Sequence, residues 1–298
     1  MLNQSDRKLV LTGASGFLGS VVLNKAIGSW QTVGLYLSHP IPPSPRLHTK
    51  RLNLTSHRAV RNFLQREKPD VIIHTAAQTR VDACEKDPKG CRELNELGTR
   101  FLAEAAAQAG SRFIFISTDL VFDGKRGYYS EEDIPNPLST YAQTKRAAEK
   151  IVLKTCPNAV VARIAILYGK SPQHRYSFSE WLRKSWQMGR PTPLFYDQFR
   201  TPIWVENLAD ALLELAELDF TGIVHLAGPT RIDRLRFAEI LAEIVGADKN
   251  LLVPRSMFDD QPAAPRPRDV SLKIDRARSI LHTPFLSVEE GLTLAYGR

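Results

Sequence analysis

No Asp or Glu stands between Asp6 and Glu67, although the 298-residue chain carries 32 acidic residues. No carboxylate can therefore hold or repel a ligand on the elements that stretch forms. Cysteine is scarce as well. Cys84, Cys91 and Cys156 include no CxxC pair, and their odd number argues against a disulfide framework. Reduced thiols in a cytoplasmic protein are the expectation. No apolar run approaches the ~18 residues of a membrane span. The opening Met1-Leu2-Asn3-Gln4-Ser5-Asp6 leaves no room for a signal peptide. The histidines form no dedicated ligand cluster, so no metal site is expected. The 40 basic residues give a net charge of +8, yet they are spread along the chain. With no zinc-finger spacing, RNP-like aromatic run or basic helix, they point to anionic small molecules rather than nucleic acid.

Apolar runs alternate with helix-like stretches through the first half. Lys8 to Thr12, Thr32 to Leu37, Asp70 to His74 and Arg112 to Ser117 read as strands. Helices are expected from Gly16 to Ile27, from a Ser56 cap towards Glu67, and from Gly90 to Gln108. Strands buried on both faces and separated by helices imply a parallel sheet covered on each side. Pro40 to Pro45 must be a loop, because its prolines supply no backbone donors. From about Gly169 the rhythm turns irregular, and one further strand is expected at Gly222 to Ala227. The fold class is α/β, a doubly wound parallel sheet of Rossmann type with a small C-terminal substrate-binding lobe. The expected division is 1–168 for the nucleotide-binding domain, its sheet completed by about 200–228, and 169–298 mainly for the lobe.

Thr12-Gly13-Ala14-Ser15-Gly16-Phe17-Leu18-Gly19 joins the first strand to the first helix. Gly13 allows a tight turn, Gly16 lets backbone approach a pyrophosphate, and Gly19 permits close helix–sheet packing. The helix start then offers amides and positive dipole to phosphate. A dinucleotide is the expected ligand. The acid that usually binds its ribose about 20 residues later is absent; Ser38 and His39 end the second strand, followed by Arg46, Lys50 and Arg51. NADPH is favoured on that ground, and NADH is workable if Ser38 alone meets the ribose.

Tyr141 and Lys145 are four apart at a helix start, which puts phenol and ammonium on one face. Carbonyl reduction needs a proton donor beside the oxygen that gains charge, and a neighbouring ammonium stabilises the phenolate left behind. Upstream, a strand ends in Ser117-Thr118-Asp119. In parallel sheets the strands' carboxyl ends line the ligand crevice, so the Thr118 hydroxyl can hold the same carbonyl.

These elements together resemble an extended short-chain dehydrogenase/reductase, and within that superfamily the dTDP-4-dehydrorhamnose reductases. Ser117-Thr118-Asp119-Leu120-Val121-Phe122-Asp123-Gly124 resembles that family's STDYVFDG run, with Leu120 for the tyrosine. His74 to Asp82, with Glu85, resembles its AAAxTxVDxxE segment, and Arg266-Pro267 with Leu272 its RPxxxxL element. The resemblance implies Thr118, Tyr141 and Lys145 as catalytic residues, with Asn95 supporting the lysine through water. It implies that Gly13, Ser15, Gly16, Phe17, Leu18, Gly19, Ser38, His39, Asn53, Leu54, Ala76, Ala77 and Gln78 bind the cofactor beside Tyr141 and Lys145. Thr79, Asp119, Val121, Phe122, Ile166, Arg200 and Arg266 are the implied substrate contacts, with Trp181, Trp186 and Trp204 as further candidates. Ile166 stands where the family often has tryptophan, a departure that bears on the sugar. The implied activity is NADPH-dependent reduction of a nucleotide-linked 4-keto-6-deoxy sugar, and a homodimer is left open. Related sequences include a regulatory subunit that binds methionine adenosyltransferase, so a non-catalytic NADP-binding subunit is the rival reading.

Overall fold

The computed structural model describes residues 7–172, 177–259 and 263–297. The opening six residues, on which the signal-peptide expectation rests, lie outside them. Strand β1 (Lys8–Thr12) leads into helix α1 (Phe17–Ala26), then β2 (Gln31–Tyr36), β3 (Leu47–Arg51), α2 (His57–Glu67) and β4 (Val71–His74). Two short helices follow, α3 (Val81–Lys86) and α4 (Pro88–Arg92). A π-helical turn over Glu93–Gly98 runs into α5 (Thr99–Ala109), then β5 (Arg112–Thr118), α6 (Thr140–Thr155) and β6 (Ala159–Ile164). β7 (Leu167–Tyr168), α7 (Phe178–Gln187), β8 (Thr192–Phe195), β9 (Phe199–Arg200), β10 (Ile203–Trp204) and α8 (Val205–Glu217) come next. The chain closes with β11 (Gly222–Leu226), β12 (Ile232–Asp233), α9 (Arg234–Val245), β13 (Leu252–Arg255), α10 (Asp275–Ile280) and α11 (Val288–Tyr296).

Seven strands form one sheet in the order β11-β6-β5-β4-β1-β2-β3, every neighbouring pair parallel. The apolar runs at β1, β4 and β5 are buried on both faces, as strands covered by helices on each side must be. One face packs α1 and α8, through Val21, Val22, Leu208 and Leu212. The other packs α2, α5 and α6, through Phe63, Leu64, Leu102, Ala106, Ala148 and Val152. A separate cluster of Tyr168, Leu182, Phe237, Leu241 and Leu292 holds α7, α9 and α11 together.

Two local expectations change. The single helix expected from Gly90 to Gln108 is broken into α4, the π turn and α5, with the Asn95 side chain drawn inward to bond Gln78. β3 was not expected, because Leu47-His48-Thr49-Lys50-Arg51 has one apolar residue; it is an edge strand bound only to β2.

Candidate active site

A cleft of about 1060 Å³ opens at the carboxyl ends of β1, β4 and β5. At its near end Gly13 sits at φ +66°, where a Cβ would lie 2.7 Å from the Ala76 amide nitrogen. At Gly19 a Cβ would stand 2.1 Å from the Gly13 carbonyl oxygen. Any side chain at either position would force the turn away from the sheet. Helix α1 starts at Gly16 with no side-chain cap and no acidic residue in its first turn. By contrast, Ser56, Ser139, Ser177, Asp233 and Ser287 cap α2, α6, α7, α9 and α11. The α1 amides thus suit a ligand's phosphate, and the cradle fits a dinucleotide. Ser15, Phe17, Leu18, Leu37, Ser38, His39, Leu54, Ala76 and Ala77 line the same end.

Three groups of residues expected on the cofactor side lie off the cleft. Asn53 is exposed and outside the cleft, because its Oδ1 accepts from the Thr55 amide (3.0 Å) and hydroxyl (2.9 Å); Leu52 and Leu54 face inward instead. Gln78 does not line the cleft: its amide donates to Asn95 Oδ1 (2.8 Å) and its carbonyl accepts from Asn95 Nδ2 (3.1 Å). Arg46, Lys50 and Arg51 also lie off the cleft. Arg46 donates to the Gly28 carbonyl, Lys50 sits over the Phe63 ring, and Arg51 donates to the Leu37 carbonyl.

Thr118, Tyr141 and Lys145 meet in the middle of the cleft, only 6%, 8% and 3% exposed. Ser139 caps α6 by accepting from the Ala142 amide (3.3 Å), which fixes the helix start at Thr140, one residue before Tyr141. Glu149, one turn beyond Lys145, is completely buried and pairs with Arg163 of β6 at 2.9 Å through both oxygens. Ser117 donates to it as well (2.6 Å), so α6 is locked to two strands. Burial pushes the Tyr141 phenol up, the Asp119 carboxylate adds to this, and a bond to Thr118 opposes it. The phenol therefore keeps its proton at neutral pH, ready to act as an acid. Burial brings the Lys145 ammonium down to about 7, against the opposing Glu149 charge. The ammonium also lies 4.0 Å above the Phe115 ring. His74, buried between the Thr12 and Thr99 hydroxyls, is lowered to about 3 by burial and then by Lys145, and stays neutral.

Asn95 is buried outside the cleft. Its Nδ2 also points to Thr144 Oγ1 (3.2 Å), beside Lys145, so its side chain ties the loop after β4 to α6.

The far end of the cleft is lined by Thr79, Asp119, Ile166, Gln198, Arg200, Arg234 and Arg266. Asp119 accepts from the Thr118 hydroxyl (3.1 Å) and lies 3.9 Å from the Arg200 guanidinium. Burial raises its carboxyl, with Arg200 pulling the other way. Arg200 is spent on the carbonyls of Phe199, Pro267 and Arg268, and Arg266 pairs with Asp82 at 2.8 Å. Val121 and Phe122 do not reach the cleft. The turn after Thr118 sends Leu120 inward to the ligand side, while Val121 enters the core and Phe122 stacks on Tyr129. Trp181, Trp186 and Trp204 are also absent from the lining; Trp186 is buried, donating to Thr192 (3.0 Å).

Arg234 is a cleft residue that no motif in the sequence marks. It opens α9, donates to Gln198 (3.3 Å) and lies 4.7 Å over the Phe178 ring, with no ion pair among the described residues. Burial and then Arg200 hold its guanidinium down at about 9, opposed by Asp119. It remains charged at neutral pH. Only the β9–β12 pairing brings it beside Arg200, and no local spacing announces that.

The cysteine expectation also fails. Cys84 and Cys91 form a disulfide, and Cys156 alone is free and buried. α3 and α4 fold back at Asp87-Pro88, where Asp87 accepts from the Gly90 amide, and the two Cα atoms come within 5.2 Å. Cysteine parity carries no information about that turn. Among the described residues no group of three metal-ligating side chains occurs, and no helix is long and apolar enough to cross a membrane.

Residues 7–297 match the family described as RmlD substrate binding domain. The chain is 32% identical over 287 residues to a probable low-salt glycan biosynthesis reductase of Haloferax volcanii, covering 95% of each chain. It is also 32% identical over 304 residues to methionine adenosyltransferase 2 subunit beta of Bos taurus, covering 98% of this chain and 89% of the other. Among solved structures it resembles dTDP-4-dehydrorhamnose reductase of Bacillus anthracis, determined with NADP (TM-score 0.86, 25% identity, 98% and 99% coverage). With the glycine turn, the seven-stranded parallel sheet and the match over nearly the whole length, the chain belongs to the RmlD substrate-binding-domain family of extended short-chain dehydrogenase/reductases.

Proposed function

We propose that the protein is an NADPH-dependent reductase of a nucleotide-linked 4-keto-6-deoxy sugar. The observation that carries this is one cleft joining the α1 phosphate cradle to Thr118, Tyr141 and Lys145 and ending at Arg234. NADPH, when bound, supplies hydride to the carbonyl carbon. Thr118 and Tyr141 hold the carbonyl oxygen, and Tyr141 gives it a proton as negative charge develops. Lys145, charged below about pH 7 in the free protein, orients the cofactor ribose and stabilises the tyrosinate. Arg234 binds the substrate diphosphate, since a desolvated guanidinium with no ion pair among the described residues, and only the more distant Asp119 charge acting on it, favours a phosphate oxygen. Ile166, short of an indole, leaves a roomier sugar pocket. Cofactor binding is assigned to residues 1–168 with a returning strand near 200–228, and substrate binding mainly to 169–298.

The likeness to methionine adenosyltransferase 2 subunit beta supports a second reading, a regulatory subunit. Supplying dTDP-4-keto-6-deoxy-mannose with NADPH separates the two, read by absorbance and product mass. Oxidation with formation of the alcohol is expected. Tight binding to a methionine adenosyltransferase without any ketone reduction would favour the regulatory role.

A further inference from the structure

Helix α3 is six residues long, too short to hold its own position, yet three of its side chains contact residues that line the site or adjoin it. Glu85 accepts from the Thr140 amide (2.7 Å) and hydroxyl (2.8 Å) at the first residue of α6, next to Tyr141. Asp82 accepts from the Ala264 amide (3.2 Å) and from Arg266 (2.8 Å), which lines the far end of the cleft. Cys84 is joined to Cys91 of α4, the helix that runs into the turn carrying Asn95. The bond packs against Tyr141 itself in a closed cluster with Val81 and Leu120. Asn95 Nδ2 approaches Cys91 Sγ at 3.3 Å, and Cys84 Sγ lies 3.7 Å from the Gln78 carbonyl oxygen. One covalent link therefore touches both the proton donor and the Asn95–Gln78 brace behind the cofactor segment.

We propose that the Cys84–Cys91 disulfide is a positioning element for Tyr141 and the cofactor-side loop, and that its reduction reversibly lowers NADPH affinity and turnover. The turnover half rests on the reductase reading; the affinity half does not. A dithiol reductant attacks one sulfur, breaking the S–S bond and forming a mixed disulfide. Its second thiol then closes the reductant's own disulfide and releases Cys84 and Cys91 as thiols. Two electrons and two protons pass from the reductant to the protein. The freed sulfur atoms move from bonding to non-bonded separation in a cluster where Cys84 is fully buried and Cys91 2% exposed. Close packing leaves no slack, so α3 must shift, and Glu85 and Gln78 shift with it.

The test compares the intact protein before and after dithiothreitol, with the two forms identified by thiol count after denaturation. That count should rise from one, Cys156, to three. NADPH Kd is read by fluorescence, kcat and KM by NADPH absorbance, and the fold by circular dichroism. Reduction should raise Kd and lower kcat on the order of tenfold or more, the scale of sub-ångström to ångström misplacement. Both should return on reoxidation. Cys84→Ser/Cys91→Ser should behave as the reduced form and ignore dithiothreitol, whereas Cys156→Ser should respond as wild type. Equal Kd and kcat in the two forms would overturn the proposal. So would three thiols after oxidation, or loss of the fold on reduction, which would make the bond a structural staple. A redox-dependent Kd without turnover of any keto sugar would leave the device standing and defeat only the substrate reading.

Discussion

The two ends of the cleft are built on different principles. At the near end the backbone forms the surface: the Gly13 turn, the uncapped amides of α1 and the small residues Ala76 and Ala77. At the far end the surface is made of charged side chains from distant segments, Asp119, Arg200, Arg234 and Arg266. A backbone site is fixed by spacing within a few residues. A side-chain site depends on which charges neutralise each other, and here Arg200 and Arg266 are engaged while Arg234 carries no ion pair among the described residues.

The largest expected effect falls where the two ends meet. Tyr141→Phe should lower kcat on the order of 10²–10⁴-fold, the usual general-acid contribution, with NADPH affinity kept. Steady-state kinetics with a fluorescence titration checks this; parallel losses in both would place the residue in cofactor binding instead. Next comes the substrate end alone. Arg234→Ala should raise the nucleotide-sugar KM roughly tenfold to a hundredfold, as loss of a charge-assisted hydrogen bond implies, without changing the NADPH Kd. A larger effect from Arg200→Ala on KM, with the fold intact, would return the diphosphate to the residue expected from sequence.

The smallest effect is a pH dependence that differs between the ends. Burial holds Lys145 at about 7, so its charge is complete below that value and lost as pH rises through it. Apparent affinity for the anionic cofactor should therefore weaken from about pH 7 upward. Arg234, near 9, stays charged throughout the neutral range, so the substrate KM should remain flat there. Cofactor affinity that improved above pH 7 would reverse the sign and remove Lys145 from that role.

The sheet was readable because β1, β4 and β5 are apolar on both faces and the glycine turn has a fixed geometry. β3 was hidden because an edge strand needs no apolar alternation, and the π turn because a helical pattern does not show an inserted residue. Tyr141, Lys145 and Thr118 could be placed from helix period and strand end. The positions of Phe122, Asn53 and Arg234 depended on Tyr129 stacking, a local Thr55 bond and the β9–β12 pairing. The Cys84–Cys91 bond depended on the turn at Asp87-Pro88, which no count of cysteines contains.

The most direct test of hydride transfer at this site uses NADPH carrying deuterium at the transferable position of its nicotinamide, with a nucleotide-linked 4-keto-6-deoxy sugar. A product alcohol bearing a single deuterium at the former carbonyl carbon is expected by mass spectrometry, formed on the order of 10²–10⁴-fold more slowly by Tyr141→Phe. An unlabelled product, or labelled product formed by the variant at the wild-type rate, would contradict this mechanism.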